Sequence, residues 1–421
     1  MNKQLINPNN SSLLPINNDV KYRIKELDEI KTNLSNVKSK LDDEYKKPLF
    51  GRYWKEFDPF KKEKKVVPVL GNTGNVTNAW LKCYELLIDF DILPLDNDSL
   101  IRDIMSDKLD KNPSDRFLHF DNAAFPGSFI LATHHLVNTR CTEWSEQYDW
   151  IASSLYDVNE TNLKPLEDKY KLFTNYPNKW LMSDVNNGDV LLRATQEDFH
   201  KRYGGKVDLY TSDLGFDVSS DYNNQELIQL PANIGQIISG ILTLKPTGAF
   251  ITKQYMNFEP ITVSIIYAMS QLFDEFYVCK PYTSRETNSE TYLVGLGFKE
   301  SVSLDHPYVK AMFDRIIKNK SGDTLVDIET PLFKLSDYPK GFIDDIVSIS
   351  DVIFGNQMKK MDYVIDKISE CMAAGYYKYP IYNPVVVKYN NLIDSDIIEW
   401  YRKCKILPID NNNKLNMYSA F

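Results

Sequence analysis

The sequence predicts an α/β fold, with a mainly parallel, doubly wound sheet between helical extensions at both ends. Three observations carry that expectation. Short apolar runs alternate with helix-period segments from Phe117 to Phe298. The first run, Phe117-Leu118-His119-Phe120, passes through a small-residue turn, Asp121 to Ser128, into a helical pattern at Phe129 to Val137. Later runs end in charged residues, where an open α/β sheet gathers its ligand contacts.

Composition narrows the classes. The chain has 421 residues, enough for two or three domains or one large domain with extensions. Its 43% hydrophobic share supports a sizeable core. No run approaches the roughly 18 apolar residues of a membrane span, so no membrane partner is expected. Five scattered cysteines without a CxxC pair argue against a disulfide framework or structural zinc, and for a reducing compartment. His134 and His135 would diverge on a helix, and no metal site is expected. A net charge of −9 counts against a phosphate-coating surface, while a local basic groove stays compatible with it.

In chain order, Met1 to Asn18 is rich in Asn and Ser and reads as a flexible tail. From Asp19 to Lys47, Ile24, Leu27, Ile30, Leu34 and Leu41 recur at helical spacing, and Pro48 ends the helix. It packs on the main domain or on another helix. Gly51 to Lys65 interleaves Tyr53, Trp54, Phe57 and Phe60 with lysines and an arginine. That pattern suits either RNA contact or a solvated loop held by its aromatics. This segment closes the extension, residues 1–65.

Thr77 is placed to cap a helix whose apolar face is Trp80, Leu81, Tyr84, Leu87 and Ile88, with Lys82 near its edge. Asp149 to Leu155 predicts a second strand and Val207 to Asp213 a third. Gln225 to Leu244 predicts a helix that Pro231 kinks or restarts. Gly248 to Lys253 predicts a strand, Ile261 to Phe273 a helix, and Glu275–Cys279 and Thr291–Phe298 two strands. The link between those two is too short for a crossover helix, so they should pair antiparallel. Residues 301–421 read as a mostly helical accessory region, with helices at Ile343–Phe354, Met358–Met372 and Asp394–Lys405.

The small-residue turn and the helix behind it would let a nucleotide-type ligand approach the backbone, facing free N–H groups and a positive dipole end. Four charged residues then follow in order: Lys82, Asp213, Lys253 and Glu290. Asp213 and Lys253 end core strands, and Glu290 precedes another.

At these residues the chain resembles the FtsJ-like (RrmJ-type) RNA ribose 2′-O-methyltransferases, and among them those of large cytoplasmic DNA viruses of the African swine fever virus kind. The resemblance spans residues 66–300 and rests on Thr77-Asn78-Ala79-Trp80-Leu81-Lys82, Trp150 to Leu155, Asn186 to Val190, and Thr287-Asn288-Ser289-Glu290-Thr291-Tyr292. It implies a Rossmann-like fold with a mixed, mostly parallel seven-stranded sheet, the cofactor S-adenosyl-L-methionine, and a catalytic K-D-K-E tetrad at Lys82, Asp213, Lys253 and Glu290.

The tetrad makes chemical sense. A ribose hydroxyl must lose a proton as it attacks a sulfonium methyl group, and a base poised near neutrality accepts it best. Lysine has an ordinary pKa of about 10.4, which burial and a second cation lower and neighbouring acids raise. Lys253 is the candidate base. Lys82 is its electrostatic neighbour and a possible holder of the ribose, and Asp213 and Glu290 orient the two lysines. The leaving group departs neutral, so the reaction requires no metal.

The resemblance also implies cofactor contacts. The family turn D-L-G-A-A-P-G-G-F reads here as Asp121 to Phe129. Asp121, Pro126, Gly127 and Phe129 match, while Ala123 and Ser128 replace glycines. Alanine disfavours positive φ, so the turn is expected to differ or the methionine part to sit further away. Ser154 stands where the family often has a ribose-binding acid, Asp189 matches the acid that reads adenine, and Asp213 lies near the donor methyl. Ser284 and Arg285 are candidate RNA contacts.

The viral resemblance points to the first transcribed nucleotide of capped mRNA (cap-0 to cap-1), in the host cytoplasm or virion, beside other capping or transcription proteins. Ribosomal, transfer or internal RNA is the competing substrate. A catalytically inert RNA-binding or capping-complex scaffold is the competing class.

Overall fold

In the computed structural model, which describes residues 2–6, 13–61, 63–96, 116–155, 168–183, 185–216, 218, 221–318, 324–327 and 329–415, seven strands pair into one sheet. They are β1 (Asn2–Ile6), β2 (Phe117–Asn122), β3 (Tyr148–Ser153), β4 (Val207–Ser212), β5 (Leu244–Tyr255), β6 (Phe273–Lys280) and β7 (Glu290–Phe298). The order across the sheet is β1-β6-β7-β5-β4-β2-β3. Neighbours among β2 to β5 are parallel, and β7 runs antiparallel between β5 and β6 as the short link requires.

Alternation along the strands explains the double winding. Phe117, Trp150, Leu209, Ile251 and Tyr292 share one core with the helices Asn78–Asp89 and Ser128–Arg140. Their strand neighbours Leu118, Ile151, Tyr210, Phe250 and Leu293 join a second core with the helices Arg193–Tyr203, Gln225–Thr243 and Pro260–Leu272. A period of two on strands buried from both sides therefore requires helices on both faces.

The amino-terminal residues correct one expectation. Asn2–Ile6 is not a flexible tail but an edge strand, antiparallel to β6. It satisfies backbone groups that the β6 edge would otherwise expose, and Ile6 is buried. Asn17 is buried too, and its amide donates to the Pro331 carbonyl at 3.1 Å.

The two ends of the chain pack together. The helix Lys25–Tyr45 follows the helix Phe342–Ala373. Phe50, Tyr53 and Phe57 share a core with Val364, Ile365, Ile368 and Val386, so the aromatics of residues 51–65 are anchors in a packed structure. Phe342–Ala373 is one helix of 32 residues where two were expected. Its apolar period continues through Gly355, and a single interior glycine costs only about 1 kcal/mol. Pro231 likewise lies inside one continuous helix. The carboxyl-terminal helix starts at Pro384 instead of Asp394, and a short hairpin, Ile316–Lys318 with Thr324–Val326, interrupts the mostly helical accessory region. No helix among the described residues is long and apolar enough to cross a membrane.

Candidate active site

The site lies at the carboxyl ends of the parallel strands. Asn122 pairs in register with Ser153 on one side and Ser212 on the other, and Ser212 pairs with Thr252. The next residue of each strand, Ala123, Ser154, Asp213 and Lys253, therefore emerges along one edge.

Thr77 caps the helix Asn78–Asp89 by accepting the Trp80 N–H at 3.2 Å. That start places Lys82 under β7 and not at the solvent rim. The Lys82 ammonium lies 3.0 Å from both Glu290 carboxylate oxygens and 3.6 Å from Asp213 Oδ1. Lys253 Nζ lies 3.2 Å from the same Asp213 oxygen and donates to the Asp213 carbonyl at 2.7 Å. Three elements and the β4 end thus bring all four residues into one cluster of two lysines and two acids.

Electrostatics follow from that closeness. Burial pushes the Asp213 carboxyl up, but Lys253 and Lys82 more than offset it and hold it below the usual carboxylate range. Burial opposes ionisation of Glu290 as well, and Lys82 above all keeps its pKa low. Both acids stay charged and hold the two lysine side chains in place.

Several partners were not legible as site residues. The Tyr292 hydroxyl donates to Asp213 Oδ1 at 2.6 Å, and burial pushes its pKa well up, so it keeps the proton it donates. Lys280 donates to the Asn288 and Glu290 carbonyls at 2.8 and 2.7 Å and to Asn288 Oδ1 at 2.8 Å. Burial lowers its pKa to about 7. Lys280 ends β6 as Lys253 follows the core of β5, and that strand-end pattern was the signal available. Glu85, one turn after Lys82, accepts the Tyr282 and Thr283 N–H groups at 2.7 and 2.8 Å.

Ser284, a candidate RNA contact, faces inward instead. It is 2% exposed and donates its hydroxyl to Glu290 Oε1 at 2.7 Å. Its chain neighbours turn it inward, since Glu85 ties down Tyr282 and Thr283. Arg285 is exposed and pairs with Asp58 at 2.8 Å.

At the small-residue turn, Ala123 adopts φ 54°, so alanine takes the left-handed conformation expected to need glycine. The Asn122 side chain accepts the Ala123 N–H at 2.9 Å and helps hold it there. Phe125–Pro126 is a cis peptide, and Gly127 has φ 106°. A Cβ on Gly127 would meet Leu172 Cδ1 at 2.3 Å. Pro126 is half-buried.

Asp121 and Phe129 do not line this crevice. Asp121 is 2% exposed and accepts the Thr211 hydroxyl at 2.7 Å, while burial pushes its carboxyl pKa well up. Phe129 packs into the core beneath the turn.

Ser154 lies beside both neighbouring segments. The Phe125 N–H approaches its hydroxyl at 3.5 Å, and a Cβ on Gly188 (φ 79°) would fall 1.9 Å from its carbonyl oxygen. Asp189 follows on the same loop, where its Oδ1 accepts the Leu191 N–H at 3.0 Å. Nearby, the buried Ser153 hydroxyl has no hydrogen-bond partner among the described residues. The close backbone approach of Ser154 and Gly188 at the strand ends fits a nucleoside-type cofactor.

Known proteins agree with this architecture. A family model for FtsJ-like methyltransferases matches residues 75–298. "Probable methyltransferase EP424R" of African swine fever virus is 30% identical over 403 residues, 92% of this chain and 85% of that protein. An uncharacterised mimivirus protein, L511, is 28% identical over 81% of this chain and 38% of its own length. The Drosophila melanogaster "Cap-specific mRNA (nucleoside-2′-O-)-methyltransferase 2" is 26% identical over 76% of this chain and 43% of its own length. The chain belongs to the FtsJ-like methyltransferases, which draw their methyl group from S-adenosylmethionine.

Proposed function

We propose that this protein methylates the ribose 2′-oxygen of RNA, at the first transcribed nucleotide of capped mRNA. The observation that carries the reading is the buried cluster of Lys82, Asp213, Lys253 and Glu290, with Lys253 Nζ 3.2 Å from Asp213 and Lys82 held by Glu290 at 3.0 Å. Kinship to a protein named as a cap-specific mRNA 2′-O-methyltransferase supports the capped substrate. The viral relatives support action where viral messages are capped, in the cytoplasm of the infected cell or in the virion, beside other capping or transcription proteins.

Ala123, Pro126 and Gly127 would flank the methionine part of the cofactor, Ser154 its ribose and Asp189 its adenine. When bound, S-adenosylmethionine supplies an electrophilic methyl group. Lys253 takes the 2′-hydroxyl proton onto Nζ as the oxygen attacks, and therefore acts from its neutral form. Lys82, paired with Glu290, holds the ribose oxygen. Asp213 and Glu290 fix both nitrogens, while Tyr292 and Ser284 fix the acids. Because the four groups are already placed, little reorganisation accompanies the step.

The test is methyl transfer from labelled S-adenosylmethionine to matched RNAs with cap-0, uncapped and already 2′-O-methylated 5′ ends, beside Lys253→Ala. Transfer confined to cap-0 RNA and abolished by the substitution is expected. Equal transfer to uncapped RNA would move the substrate to internal sites. No transfer to any of them would overturn the reading.

A further inference from the structure

The loop that carries Ser284 and Glu290 has a second face. Arg285 and Glu286 on that face meet Trp54, Phe57 and Asp58 of the amino-terminal extension and Lys360 of the helix Phe342–Ala373, around a cavity of about 530 Å³ including its open mouth. Trp54, Phe57, Asp58 and Lys360 lie outside residues 75–298, the segment matched by the family model.

We propose that this cavity holds a guanine nucleotide at the 5′ end of the RNA, with a positively charged guanine favoured; the proposal rests on the capped-RNA reading above. The cavity's aromatic wall is the half-buried Trp54, braced from behind, and the core residue Phe57 closes the base. Trp54 stacks on Phe50 with ring centroids 6.0 Å apart, and Phe57 packs on Tyr389 at 4.7 Å. Such faces bind any base by stacking and a cationic base more strongly.

The charges select the base and what it carries. Arg285 pairs with Asp58 at 2.8 Å and Lys360 with Glu286 at 3.1 Å. A guanine nucleotide offers each partner a replacement. The adjacent imino and amino N–H groups of its Watson–Crick edge suit a carboxylate, and its phosphates suit arginine and lysine. Adenine lacks that pair of donors. Lys55, Arg285 and Lys360 together suit the phosphates, and the Trp54 face favours a base with positive charge. The position suits a cap, because Ser284 holds Glu290 at 2.7 Å from the chain position next to Arg285.

The test uses the full chain, with calorimetric titration of 7-methyl-GTP, GTP and ATP. Saturable binding of 7-methyl-GTP at least tenfold tighter than ATP is expected. Trp54→Ala should weaken it at least tenfold. Because Trp54 also supports Phe50, Glu286→Gln serves as the second variant; its side chain is 52% exposed, and it should weaken binding three- to tenfold. Both should raise the KM for cap-0 RNA in proportion. Binding of 7-methyl-GTP no tighter than ATP, or unchanged in the folded variants, would overturn the proposal. If wild-type protein still methylates cap-0 RNA and Lys253→Ala does not, such a result removes the cavity assignment and leaves the proposed reaction standing. If no RNA is methylated, the reaction reading fails, and the titration still decides the cavity.

Discussion

Lys82 and Glu290 are 208 residues apart in the chain, yet the Lys82 ammonium sits 3.0 Å from both Glu290 carboxylate oxygens. The helix that carries Lys82 also carries Glu85, which fastens the Glu290 loop through Tyr282 and Thr283. One helix therefore both supplies a charge and fixes the loop that supplies its partner.

Breaking that pair from one side should be costly. Lys82→Met leaves a buried carboxylate without its main cation, which should destabilise the fold by about 3–5 kcal/mol. The double variant Lys82→Met with Glu290→Gln should recover most of that loss and remain inactive. Urea unfolding beside methyl transfer checks both. Equal stability of the single and double variants would remove the pair as a source of stability.

Tyr292 should matter through Asp213. Tyr292→Phe deletes the 2.6 Å hydrogen bond to Asp213 Oδ1 while keeping the ring. A hydrogen bond to a charged group contributes about 1.5–3 kcal/mol, so stability should fall by that order. Turnover should fall about tenfold, with the KM for RNA little changed. Single-turnover kinetics with RNA and S-adenosylmethionine measure this, and unchanged turnover would exclude the positioning role.

Ala123 offers a gain. Its φ of 54° costs an L-residue about 1–2 kcal/mol, and glycine removes that cost while adding about 0.4–1 kcal/mol of unfolded-state entropy. Ala123→Gly should therefore stabilise the protein by about 0.5–1 kcal/mol in urea unfolding and leave cofactor binding intact. Destabilisation would show that the alanine methyl makes a contact worth more than the strain.

Glu226 should give a pH signature away from the site. Burial and the nearby Glu259 raise its pKa from 4.5 to about 7, although it accepts the Phe258 and Glu259 N–H groups at 3.1 and 2.9 Å. The folded state therefore binds the proton more tightly than the unfolded state. This contribution is complete below pH 4.5 and is lost as pH rises through 7, to the extent of roughly 3 kcal/mol. Glu226→Gln should remove that fall. Unfolding free energies of both proteins from pH 5 to 8 measure the difference, and parallel curves would exclude Glu226 as its source.

Local pattern reached far into this protein. Strand alternation and helical period are properties of a few neighbouring residues, so the doubly wound sheet, the Thr77 cap and the strand-end position of Asp213 could be read from the chain alone, whereas Lys253, expected to end its strand, lies inside β5, which pairs with β7 through Tyr255. The short 281–289 link also announced the antiparallel β6–β7 pair. Tertiary structure decided what depends on distant partners. Asn2–Ile6 is a strand because β6 offers an edge, and no apolar period marks it. Ser284 is buried because Glu85 draws its neighbours inward. Ala123 holds a conformation its own side chain disfavours because the Asn122 side chain and the packed turn hold it there. Lys82 looked like a rim lysine until β7 covered it with Glu290. Hydrogen bonds and ion pairs across some 200 residues leave no mark on local periodicity, and they are what turned four charged positions into one site.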